Sequence, residues 1–285
     1  PPAVPGFFTM EYFCEKAYLT VCNATAVRYV PDEAKCIPPT LTSGSLTLQE
    51  PSLVIVGLVS AITAWYSAYR IAIHVKGGAL EYASFYGLLG TNILFLVLLR
   101  TLAYEASIIH TVILGLTMVL TSWTWSSLLF CGLADLAFVP IALAPRLKIY
   151  IPFLTVIGVG VLAGAVSGWH PLLFVFYYTV PIACFVLFLI LEARVVYTLT
   201  SHRRKATIWM GIGTVVVIAA VTASTAASKY LCLAFTSNFD GTFFFYILVD
   251  VASTVLYQFL SATKTGLDPD VLNMLRLQRD VARGA

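Results

Sequence analysis

Two carboxylates stand inside long apolar runs of this chain. Asp250 lies in Val249-Asp250-Val251-Ala252-Ser253-Thr254, and Asp135 in Gly132-Leu133-Ala134-Asp135-Leu136-Ala137. An ionisable side chain within a membrane span is costly to keep there, which makes each a functional-site candidate by default. Two readings stand side by side. The acids are stations of a proton or cation relay, or they are neutral acids hydrogen-bonded to neighbouring Ser, Thr or Tyr for packing. Asp135 lies eleven residues before Arg146, and Asp250 lies eight residues into its own run from the other side, so opposite halves of a bundle are expected to hold them.

Other polar groups in the apolar runs are hydroxyls. The third run carries Thr117, Thr121, Ser122, Thr124, Ser126 and Ser127 around Trp123 and Trp125. The sixth carries Thr214, Thr222, Ser224, Thr225 and Ser228 among alanines. Small and hydroxylated residues let membrane helices approach and bond to one another, so they read as packing glue before they read as a channel lining. Gly160 and Gly164 form a small-xxx-small pair that either packs on a neighbouring span or dimerises the protein. His74, His110, His170 and His202 do not cluster and show no metal-ligand spacing. No nucleophile motif, phosphate loop or CxxC pair is present, so enzymatic chemistry has no positive support.

These residues need elements to position them, and composition says which. Apolar residues make up 59% of the 285 and charged residues 11%, far from the roughly one-quarter charged of a soluble domain. Seven runs reach the roughly 20 residues that cross a bilayer: 53–74, 80–101, 111–142, 149–168, 172–192, 206–228 and 242–263. They are continuously apolar, which specifies helices and not barrel strands. The third is overlong, so part of it belongs to a loop or extends past the bilayer. Short connections predict an up-down, seven-transmembrane all-α bundle. Arg70, Lys76, Arg146, Lys148, Arg194, Arg203, Arg204, Lys205 and Lys264 fall on one side; fewer basic residues fall on the other. The positive-inside rule makes the first side cytosolic, with the N-terminus outside and the C-terminus inside. The net charge of +3 follows from this asymmetry and does not suggest nucleic acid.

The sequence divides into an outer segment, 1–50, the bundle, 51–265, and a cytosolic tail, 266–285. Cys14, Cys22 and Cys36 lie in the outer segment and Cys232 on the same side, so two disulfides are open to them in three connectivities. Cys131 and Cys184 fall inside runs as plain core residues. Asn23-Ala24-Thr25 fits a glycosylation sequon. In the tail, Asp268-Pro269-Asp270 reads as a helix start, followed by Val271, Met274, Leu275 and Val281 on one face and Arg276, Arg279 and Arg283 on another. That pattern fits an interfacial helix touching anionic lipid head groups.

The sequence Trp65-Tyr66-Ser67-Ala68-Tyr69-Arg70, followed by Gly77-Gly78-Ala79-Leu80-Glu81-Tyr82, resembles the same region of channelrhodopsins. Leu128-Leu129-Phe130-Cys131-Gly132-Leu133-Ala134-Asp135 is similar to the third helix of the microbial rhodopsins. The resemblance covers residues 53–265. It implies that Asp135 is a cytosolic-half proton donor, Trp125 a retinal contact and Asp250 the seventh-helix aspartate of the counterion pair. It also implies a retinal-binding lysine one turn after Asp250, where this chain has Thr254. Lys264 lies ten residues further, about 15 Å along a helix. The family's primary counterion position falls on Thr124 and its third-helix arginine on Thr121, and the sixth run has Gly213-Thr214-Val215-Val216-Val217-Ile218-Ala219-Ala220 in place of aromatic and proline residues. The chain therefore looks like the opsin-related branch that lacks the lysine. Covalent retinal is not expected, while a non-covalent lipid or pigment stays open.

The expectation is an opsin-like accessory subunit or binding scaffold, a multi-pass protein of the plasma membrane or another secretory-route or organelle membrane. Its partners would be membrane lipids and other membrane subunits or a second copy. An ion or proton conductor using Asp135 and Asp250 is the alternative, and a seven-helix receptor the next.

Overall fold

The computed structural model describes residues 40–43, 46–49, 51–74, 80–101, 108–135, 143–199, 203–224, 227, 230–231, 234 and 241–265. Seven helical spans, long and apolar enough to cross a membrane, account for most of these residues. They are Pro51–His74, Leu80–Thr101, Ile108–Asp135, Leu143–Ser167, a composite fifth, Arg203–Ser224 and Gly241–Thr265. The fifth joins His170–Phe174, a π-helical turn at Val175–Thr179 and Val180–Leu199. The protein is thus an all-α, multi-pass membrane bundle, as its long uncharged runs require. Ahead of the spans, strands β1 (Thr40–Ser43) and β2 (Leu46–Gln49) pair antiparallel, with Thr40 opposite Gln49 and Ser43 opposite Leu46.

Several boundaries move from the sequence expectation. The third helix is described from Ile108 to Asp135, and the rest of the apolar run, 136–142, lies outside the described residues. The fourth begins at Leu143, ahead of exposed Lys148, and carries Pro152 inside it on an exposed face. A proline is tolerated there because neighbouring groups and local adjustment satisfy the freed carbonyl. The fifth continues past Glu192 to Leu199. Its apolar stretch Val195-Val196-Tyr197 lets the helix carry one acid through rather than stop at it. Between the fourth and fifth spans Gly168 takes the left-handed φ of 66°, which costs a glycine little. Leu173 N–H then donates to Trp169 O at 3.2 Å, and Pro171 sits in the first turn of the next helix, where a missing N–H costs nothing.

The spans pack in sequence, first on second, second on third, third on fourth and fifth. The sixth lies along the seventh, and the seventh returns to the first. The fifth and sixth contact each other sparsely. The second and third spans are the most enclosed, and the third buries Thr117, Ser122, Thr124, Ser126 and Ser127 beside Leu128 and Cys131. Ile55, Val59, Ile62, Val156, Ile190 and Val215 face outward. A bilayer accepts apolar side chains as readily as a core does, so the hydroxyls turn inward and the aliphatics face lipid. Thr117 Oγ1 donates to Ile113 O at 2.7 Å, Thr124 Oγ1 to Leu120 O at 2.7 Å and Ser127 Oγ to Thr124 O at 2.7 Å. These bonds stay within one helix, which lets three hydroxyls sit inside without water.

Candidate functional site

The main polar site lies at the end of the bundle where the first, third and fifth spans finish and the second begins. Tyr82 leaves the first turn of the second span and is fully buried. Its Oη stands 2.9 Å from Asp135 Oδ2 and 2.8 Å from Glu192 Oε1. Glu192 is fully buried too, whereas Asp135, the last described residue of its helix, is half-buried. A phenol has one proton, and an ionised carboxylate only accepts. The phenol is thus the donor to both acids and shares its one proton between Asp135 Oδ2 and Glu192 Oε1. The chain of bonds ties the second, third and fifth spans together.

Below this triad an apolar cavity of about 70 Å³ opens among the second, third, fifth, sixth and seventh spans. Trp125, Phe185, Phe188, Trp209, Met210 and Phe259 form much of its wall, and Glu192 is its ionisable lining residue. Trp125 and Phe185 meet edge to face, with ring centroids 6.2 Å apart. Thr214 and Ser253 also line the cavity, but both hydroxyls are engaged by their own helices. Thr214 Oγ1 donates to Met210 O at 2.9 Å, and Ser253 Oγ to Val249 O at 2.9 Å. Tyr86 Oη donates to Ser253 O and so holds the second span to the seventh.

The residues expected to form a relay are dispersed. Asp250 lies half-buried on the seventh span, about 14 Å along the axis from Phe259, the last cavity residue on that span. Its Oδ1 is buried with no hydrogen-bond partner among the described residues. Thr254, where the resemblance places the lysine, is exposed on the outer face, and its Oγ1 donates back to Asp250 O at 3.2 Å. Thr121 Oγ1 meets Asn92 Oδ1 at 3.0 Å and Thr117 O at 2.8 Å, joining the third span to the second. Thr124 is buried and bonded within its helix. Of the five, only Asp135 belongs to the triad.

Gly160 and Gly164 are spent inside the chain. A Cβ on Gly160 would lie 2.6 Å from the Phe176 ring, and one on Gly164 would lie 2.7 Å from Leu173 N. Both glycines therefore lie against the fifth span. Cys131 and Cys184 are buried and form no disulfide among the described residues. Cys14, Cys22, Cys36, Cys232, Asn23, Arg276, Arg279 and Arg283 lie outside the described residues.

Sequence reasoning missed Glu192 and Tyr82. A signal was there: Phe188, Glu192, Val195 and Val196 recur at helical spacing and are all buried, so the acid continues an inward stripe. No protein-family model, no curated protein and no solved structure matches the chain.

Proposed function

We propose that this protein is an opsin-like seven-helix subunit without covalent retinal, a non-enzymatic scaffold or accessory component of a membrane complex. The observation that carries this reading is the apolar space between Asp135 and Asp250. Phe85, Leu89, Leu128, Val249 and Leu256 occupy the middle of the bundle, and the nearby hydroxyls of Ser127, Thr214 and Ser253 are turned to their own helices. An ion crossing here would need a wet or hydrogen-bonded path, and an apolar lining raises the barrier to one. Exposed Thr254 supports the absence of a covalent chromophore, because a lysine on that face would point away from the cavity. In this reading the basic end faces the cytosol, the N-terminal segment faces outward, and the membrane is one of the secretory route.

The test is proton flux and ionic current in vesicles, with absorption spectra recorded after adding retinal. The scaffold reading expects background flux, unaltered by Asp135→Asn or Asp250→Asn, and no visible band. A current that either variant abolishes, or a band that hydroxylamine bleaches, overturns it. The second reading, a proton conductor, is favoured by the Tyr82 bridge between Asp135 and Glu192, which could pass a proton at one end of the bundle.

A further inference from the structure

Most polar side chains within the spans turn inward, and one outward face breaks that pattern. On the seventh span Ile247, Val251, Thr254 and Gln258 are exposed and Asp250 is half-buried. At about 100° per residue the five fall within one arc of about 100°, so they form a single stripe along the helix. Asp250, Thr254 and Gln258 make that stripe polar, at four-residue spacing. Asp250 lies seven residues after Phe243 and ten before Leu260, the ends of the crossing stretch, so it stands near mid-membrane. At that depth the outward faces of the first, fourth and fifth spans carry Ile62, Val156 and Val186. We propose that the stripe is a docking surface for a transmembrane helix of a different protein, one that presents a lysine or arginine at the depth of Asp250. This deepens the accessory-subunit reading and rests on it.

Three observations select that partner. Lipid tails form no hydrogen bonds, so an acid at their level is costly, and polar contacts are among the few forces that join helices there. Asp250 Oδ1 takes no hydrogen bond among the described residues, and the Thr254 hydroxyl is turned back to its own helix. A carboxyl turns readily about its last torsion, so either oxygen can meet a donor arriving from the lipid side. A basic side chain suits it both as a counter-charge and as a hydrogen-bond donor. The exposed cations Arg70, Lys148, Arg204 and Lys205 stand at the basic end of the bundle. A second copy in the same orientation brings none of them to this depth, and a two-fold pair sets Asp250 against Asp250. The occupant is therefore a different chain.

The probe is a synthetic leucine-alanine helix of bilayer length with one central lysine and a dansyl group, added to the full chain in phosphatidylcholine vesicles. Energy transfer from the protein's tryptophans to the dansyl group reports association. Helices with leucine or glutamate at the centre serve as comparisons. Saturable transfer to the lysine helix alone is expected. Asp250→Leu should weaken it about tenfold, the scale of one polar contact between helices in a membrane. Thr254→Phe, which puts bulk on the stripe, should weaken it too, whereas Ile218→Phe on the outward face of the sixth span should not. Equal association of the three helices overturns the proposal, as does lysine-helix binding that is unchanged in Asp250→Leu or Thr254→Phe. Cross-linking in native membranes is expected to join a partner helix at Val251. A complex joined only through other faces overturns the stripe and leaves the accessory-subunit reading standing, whereas a chain that is a monomer there overturns both.

Discussion

The fifth span is packed in opposite ways at its two ends. Near its start it lies against the fourth span with no room to spare, since Gly160 and Gly164 bring backbone against Phe176 and Leu173. Towards its finish it stands apart from the sixth span, a cavity opens beside it, and Tyr82 and Asp135 hold Glu192 from the other side. The first contact depends on the absence of atoms and the second on a few placed polar ones. One apolar helix can thus be anchored at one end by shape and at the other by hydrogen bonds. In a bilayer, where apolar burial offers little net drive between helices, those are the two means available.

Four substitutions test that contrast. Gly164→Ala should have the largest effect, because the added carbon meets backbone that cannot rotate away; a loss of about 3 kcal/mol in detergent unfolding is expected. A loss below about 1 kcal/mol would mean that the tight end is not tight. Tyr82→Phe removes the bridge and leaves two acids facing each other, with an expected cost of about 1.5 kcal/mol by the same assay. If it equals the glycine variant, hydrogen bonds matter as much as shape. Val217→Phe places bulk into existing space, and its unfolding midpoint should shift by less than about 1 kcal/mol equivalent. A large loss there would show that the loose end is already filled by side chains. Asp250→Asn should change stability least, by under about 0.5 kcal/mol, because no hydrogen bond from its side chain crosses to another span among the described residues.

The spans themselves were legible because uncharged runs of bilayer length have few other readings, and the glycine pair was legible because its four-residue spacing puts both on one face. The triad was not. Treating Glu192 as the end of a run assumed that charge stops a span, whereas a single acid travels inside when a phenol from another helix meets it. That partner lies 110 positions away in sequence, beyond any local pattern. Thr254 shows a different limit. Neighbouring helix positions differ by about 100°, so a residue one place from buried Ser253 faces lipid, and only packing fixes which of the two turns inward. The strand pair had a local signal in Gly44-Ser45 between two alternating stretches.

The π-helical turn at Val175–Thr179 closes the tightly packed end of the fifth span, with Phe176 within it against Gly160. Such a turn holds one residue more than an α-helical turn, so everything beyond it is rotated by about 100° relative to an uninterrupted helix. It works as an indexing device. Upstream of it the helix shows Leu173 to the fourth span, and downstream it shows Phe188 and Glu192 to the third and second. Deleting one residue here would keep the span long enough to cross, yet turn Glu192 from Tyr82 towards a different neighbour. The length of the fifth span thus sets whether it crosses the membrane, and this single extra residue sets what it does there.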